Sequence, residues 1–184
     1  MHMQDLEYGD ESSFHTLRQA IKTTLERQEG GYAHLVQLSH DILSLYREID
    51  LYTQSFTGLV CCTCPNPCCV NRHAYPDVED LIFFEIAGLP PPNYAFDAED
   101  TAPCMFLTKK GCVLPRPQRS YRCTWYFCEK VLDEFEKNAP TAYRDLENLL
   151  QALSTARIML IEGFYTLAPI KRKEKDTQCK IRPK

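Results

Sequence analysis

Apolar residues recur at helical spacing in two long stretches of this chain, and the region between them lacks any such repeat. Phe14, Leu17, Ile21 and Leu25 mark a first helix. Ser12 or Ser13 is placed to cap it, because a serine oxygen accepts from the free N–H groups of a first turn. Gly30-Gly31 closes it. Leu35, Leu38, Ile42, Leu45, Ile49, Tyr52 and Phe56 then alternate steps of three and four, a heptad seam that stops at Gly58. A short helix follows from Val78 to Ile86, with Asp77 as its cap and Gly88 beyond it. Pro90-Pro91-Pro92 forces extended backbone. Helix resumes from Cys128 to about Lys137. It restarts after Asn138 and Pro140, where Leu146, Leu149, Leu153, Ala156 and Leu160 repeat, widened by Leu150 and Ile161, up to Gly163 and Pro169.

The fold expected is mainly α: a helical bundle or hairpin flanking a cysteine-rich, loop-dominated middle. Residues 1–57 supply the N-terminal helices and 58–128 the cysteine region. Residues 129–170 supply C-terminal helices packing on the N-terminal ones, and 171–184 form a basic, flexible tail. The seam from Leu35 to Phe56 is expected to pack on the seam from Leu146 to Leu160 within one chain.

Composition adds two constraints. With 184 residues the chain is long enough for a core without covalent staples. A net charge of −4 gives no sign of a nucleic-acid partner, and no apolar run reaches membrane-spanning length. The N-terminus lacks the basic-then-apolar pattern of a secretion signal. The expected compartment is therefore cytoplasmic and reducing, where thiols stay free or take metal.

The candidate chemistry lies in the cysteines. Nine of the ten fall in the middle region: Cys61, Cys62, Cys64, Cys68, Cys69, Cys104, Cys112, Cys123 and Cys128. The gap between Cys61 and Cys64 lets one turn present two sulfurs to an ion about 2.3 Å away. Neighbouring side chains diverge, so Cys68 and Cys69 are expected to serve different centres. Cys104 and Cys112 flank a hairpin turning at Lys109-Lys110-Gly111. Cys123 and Cys128 lead into a helix whose positive end favours thiolate, with Trp125, Tyr126 and Phe127 between them as a shield from water. A segment so poor in apolar residues needs something to offset its ordering entropy, and metal–thiolate bonds do this in a reducing compartment. His73 is a further candidate ligand beside the plain reading of a loop histidine. Glu79 and Asp80 read as charges on a helix's first turn. Cys179, in the tail, reads as incidental.

The Cys61–Cys64–Cys68–Cys69 cluster resembles the signature of the YkgJ-like cysteine-cluster proteins, described as zinc- or iron-chelating and often as iron–sulfur containing. Glu79-Asp80-Leu81, Cys104 with Phe106-Leu107, Gly111-Cys112, Arg116-Pro117 and Cys123 follow in the family's order. The gap from Arg116-Pro117 to Cys123 is longer than the family's, and Arg119 is a second candidate for the family arginine. The resemblance covers about residues 56–128 and implies Zn2+ or an Fe–S cluster; the first group has an extra cysteine beside Cys61, and the sulfurs are expected from Cys61 or Cys62, Cys64, Cys68, Cys69, Cys104, Cys112, Cys123 and Cys128. Three functions follow as expectations: a metal-stabilised module that binds a protein partner, an iron–sulfur protein for electron transfer or redox sensing, and an accessory to protein methylation. A similar cluster in a flagellin lysine methylase suggests the last. The chain shows no glycine-rich cofactor loop and no acid–base pair, which counts against an enzyme.

Overall fold

In the computed structural model, which describes residues 6–167 apart from the side chains of Ser55, Cys62 and Pro140, helix α1 spans Glu11–Glu26. Its cap is Asp10 rather than Ser12 or Ser13: the Asp10 carboxylate accepts from the Ser13 backbone N–H at 2.9 Å. A carboxylate adds charge at the positive helix end to the hydrogen bond that a serine would supply. Helix α2 spans Ala33–Val60 and a 3₁₀ turn, Cys61–Thr63, extends it. Helices α3 (Asn71–Ala74) and α4 (Val78–Ile86) follow, then a hairpin of β1 (Leu107–Thr108) and β2 (Gly111–Cys112). A 3₁₀ turn at Arg116–Gln118 leads to α5 (Arg122–Trp125), α6 (Glu129–Asn138) and α7 (Pro140–Leu167). The chain is thus mainly helical. Among the described residues no helix is long and apolar enough to cross a membrane. Residues 171–184, Pro169 and Cys179 lie outside the described residues.

Helices α2 and α7 form the most extensive pair, and they run antiparallel. Gly163, near the end of α7, meets Leu35 at the start of α2, while Arg157 donates to Tyr46 one helical stretch further on. The buried face of α2 is rotated by one residue from the expected seam. Leu35, Ile42 and Ile49 are buried as expected, but Ser39, Tyr46 and Thr53 alternate with them, leaving Leu38, Leu45 and Tyr52 half-buried. The polar members of this face are satisfied locally. Ser39 donates to the Val36 carbonyl at 2.7 Å and Thr53 to the Ile49 carbonyl at 2.9 Å, so their burial leaves no donor without a partner.

Two glycines expected to end helices do not. The Cys61 N–H still bonds the Thr57 carbonyl across Gly58, and Phe56 stacks on Phe135 of α6 with ring centroids 4.0 Å apart. Packing of this kind outweighs the roughly 1 kcal/mol that glycine costs a helix. Gly163 is there for proximity. A Cβ on it would stand 2.5 Å from Leu35 Cδ2.

Helix α4 begins where expected. Asp77 accepts from the Asp80 N–H at 2.8 Å and Asp80 accepts from the Asp77 N–H, a reciprocal capping box. Asp80 does far more than charge a first turn. It is 1% exposed, accepts from Arg157 Nη2 of α7 at 2.8 Å, and accepts from the Tyr121 N–H at 3.0 Å. Arg157 lies over the rings of Tyr121 and Phe83 at 4.4 and 5.5 Å. Burial pushes the Asp80 carboxyl up to about 6, with the Arg157 charge pulling the other way, so the pair remains ionised at neutral pH.

Two outcomes test this packing. Asp80→Asn leaves the Arg157 guanidinium buried without its counter-charge and should cost about 3–5 kcal/mol in urea unfolding. The double variant Asp80→Asn with Arg157→Met should lose less than Asp80→Asn alone. Gly163→Ala gains about 1 kcal/mol of helix propensity against about 1–3 kcal/mol of overpacking. It should therefore lower the melting temperature, and adding Leu35→Val should recover part of the loss.

Candidate metal centre

The cysteine-bearing segments are joined first by backbone. The Cys104 N–H donates to the Cys69 carbonyl at 3.0 Å, the Asn71 N–H to Ala102 at 3.1 Å and the Arg72 N–H to Asp100 at 2.9 Å. The Asn71 side chain completes the seam: its Nδ2 donates to the Glu99 carbonyl and its Oδ1 accepts from the Met105 N–H, each at 2.8 Å. Asn71 is 4% exposed, while its partners are more open, Met105 half-buried and Glu99 exposed. The β1–β2 hairpin turns at Lys109-Lys110-Gly111 as expected. Gly111 adopts φ 99°, a left-handed geometry that glycine takes without strain, and the pairing of Leu107 with Cys112 carries Cys112 back toward Cys104.

Seven cysteines then line one cavity of about 100 Å³: Cys61, Cys68, Cys69, Cys104, Cys112, Cys123 and Cys128. They arrive on separate elements. Cys61 opens the 3₁₀ turn after α2, and Cys68 and Cys69 lie in the loop before α3. Cys112 is on β2, Cys123 on α5, and Cys128 caps α6. The neighbours Cys68 and Cys69 share this one cavity. Cys64 ends the 3₁₀ turn, half-buried, and is not in the wall. The Cys62 side chain is not among those described. Among the described residues no disulfide joins the cysteines. Among the described residues no three His, Cys, Asp or Glu side chains stand in the arrangement that holds a single ion.

Their acidity follows from that placement. Burial pushes the Cys123 thiol up to about 12, and the neighbouring Cys104 and Cys112 push the same way. Burial also raises Cys69, with Cys68, Cys123, Cys61 and Cys104 adding to it. Cys104 and Cys68 are raised chiefly by burial as well. Thiolates packed this closely repel one another unless a cation stands among them.

His73 lies in the wall, with Nδ1 3.2 Å from the Cys68 carbonyl. A carbonyl only accepts, so Nδ1 carries the proton, and in the neutral ring Nε2 keeps its lone pair. Tyr126 and Phe127 also line the cavity, whereas Trp125 does not and is 47% exposed. The expected shield therefore consists of two aromatic residues.

Sequence reasoning missed Arg116 as a buried group. It is 1% exposed, and its Nε donates to Asp50 of α2 at 2.6 Å. Arg119 stands nearby in the wall, its Nε donating to the Leu114 carbonyl at 2.9 Å. The Arg-Pro pair was visible as a motif, but no periodicity marks an arginine as interior.

No family model matches the chain, and no curated protein or solved structure is significantly similar to it. The resemblance to cysteine-cluster proteins rests on the motif residues themselves.

Asn71→Ala would remove both side-chain bonds, to the Met105 N–H and the Glu99 carbonyl, at about 0.5–1.5 kcal/mol each. Hydrogen exchange should quicken around residues 99–105 and at Cys69–Asn71, while α2 and α7 stay protected.

Proposed function

We propose that this chain is a metal-binding cysteine-cluster protein, its centre a zinc–thiolate or iron–sulfur group that fixes the region between α2 and α6. One observation carries the reading: seven thiols from two sequence-distant segments line a single cavity. The donor set fits. All-thiolate ligation suits both zinc and iron–sulfur clusters, and a cation among the sulfurs would favour the thiolate forms that burial and mutual repulsion disfavour. Cys68, Cys69, Cys104, Cys112, Cys123 and Cys128, with Cys61, would hold the group, and His73 stands by as a nitrogen donor. An iron–sulfur centre would supply one-electron exchange, and zinc would supply structure alone.

The cavity favours a polynuclear centre over one ion. A cavity of about 100 Å³ with seven cysteines in its wall leaves room for several atoms, whereas a single zinc draws four ligands to about 2.3 Å. Iron–sulfur electron transfer or redox sensing is therefore the stronger form of the reading, with structural zinc the second. A protein partner is consistent with exposed Trp125 and Tyr126, 47% and 42% accessible and packed edge-on to each other. Accessory chemistry in protein methylation has no observation in its favour. A cytoplasmic setting suits free thiols.

Protein purified without oxygen tests the reading by colour and elemental analysis. Brown protein containing iron and acid-labile sulfide supports the cluster, and colourless protein containing zinc supports the structural site. Cys69→Ser and Cys112→Ser should each lose most of the metal and become protease-sensitive between residues 58 and 128, while Cys179→Ser should match the parent. Protein without either metal, or full metal content in both serine variants, would overturn the proposal.

A further inference from the structure

The charge of the cavity wall is one-sided. Arg116, Arg119 and Arg122 line it together with His73, and no carboxylate does. Arg116 is the buried member of this set. Its Nε is held by Asp50, yet Nη1 and Nη2 have no hydrogen-bond partner among the described residues. Arg119 lies close enough to oppose its charge, and Cys112 close enough to favour it. A buried guanidinium normally uses its full fork of donors, and donors left unmet in a dry site are destabilising. Asp50 offers limited compensation, since its side chain is 38% exposed and meets Arg116 through Nε. Among the described residues the wall offers the fork no carboxylate, and Cys112 is the thiol whose charge bears on Arg116. A metal centre with four thiolate ligands carries net negative charge, because the sulfurs' charge exceeds that of the metal.

We propose that the cavity is built for an anionic metal–thiolate centre, and that Arg116 is its buried charge partner. Nη1 and Nη2 donate to metal-bound sulfur, Cys112 foremost, while Asp50 sets the orientation of the guanidinium. This rests on the metal reading above and deepens it. Arg116 is a positioning and charge-compensating residue rather than a ligand. Hydrogen bonds from outer residues hold ligands in place, and losing one lowers metal affinity by about 10–100-fold.

The test separates this role from a purely structural one. Arg116→Gln and Arg116→Lys are loaded with the metal that the parent protein carries, and two quantities are measured: release of that metal to a chelator, and the melting temperature of the metal-free protein. The glutamine variant should release metal about 10–100-fold more readily. Its metal-free form should melt no lower than the parent's, because a buried charge with unmet donors has gone. The lysine variant, which keeps charge but loses the fork, should fall between. Unchanged metal retention in Arg116→Gln would overturn the proposal, as would a metal-free form that melts lower in proportion to its loss of metal. If the variants do not fold, nitrogen-labelled parent protein decides. Loading should bring the Arg116 Nη protons into separate, slowly exchanging NMR signals, and unchanged signals would overturn the proposal. Parent protein that takes up no metal overturns the metal reading itself, whereas a firmly loaded parent with an indifferent Arg116→Gln overturns only the role of Arg116.

Discussion

The contact between Asp80 and Arg157 is the constraint on which the arrangement depends. One carboxylate accepts from a cation on α7, from the Tyr121 backbone in the loop that leads to Cys123, and from the Asp77 backbone at the start of its own helix. Three parts of the chain thus share one oxygen-bearing group in the dry interior. Such a pair adds little net stability over an apolar substitute, since desolvation offsets much of the attraction. What it supplies here is position. An apolar contact tolerates sliding between α4 and α7, whereas a charged contact with defined donors does not. Helix α5, which carries Cys123, inherits that placement.

The cavity is reached from the other side by a second polar anchor. Asn71 ties the loop after Cys69 to the segment on either side of Cys104, so the two thiol-bearing halves are registered before any thiol takes part. Seven sulfurs and three arginines then face one space. An interior of that kind is poorly suited to an apolar core and well suited to the anionic centre proposed.

The helices and their ends were largely legible in the chain. Apolar residues three and four apart reveal a buried face because burial of apolar area drives the packing, and Asp77 and Gly111 carry geometric demands that few other residues meet. The buried face of α2 was legible only to within one residue. Ser39 and Thr53 look like solvent positions, and only the structure reveals that their hydroxyls turn back on their own helix. Asp80, Arg157 and Arg116 were illegible as interior groups for a related reason. A charged residue is buried only when a partner distant in sequence compensates it, and no local pattern records that partner. The cysteines were legible as a group because nine of ten crowd one region, but their sharing of one cavity was not. The spacing of Cys68 and Cys69 argued for separate centres, and the loop before α3 turns both into the same wall.

The spread of the cavity wall along the chain bears on how the protein is made. Cys61 leaves the ribosome well before Cys128, and Arg157, which helps set the helix carrying Cys123, comes later still. At about 5–20 residues per second, the early thiols wait several seconds for the rest of their enclosure. During that interval they are bare nucleophiles on an unfinished chain, open to oxidants and to any thiol-seeking ion. Loading of the proposed centre would therefore fall in the period after synthesis, and the metal taken up would depend on what the surroundings offer at that moment as well as on the cavity.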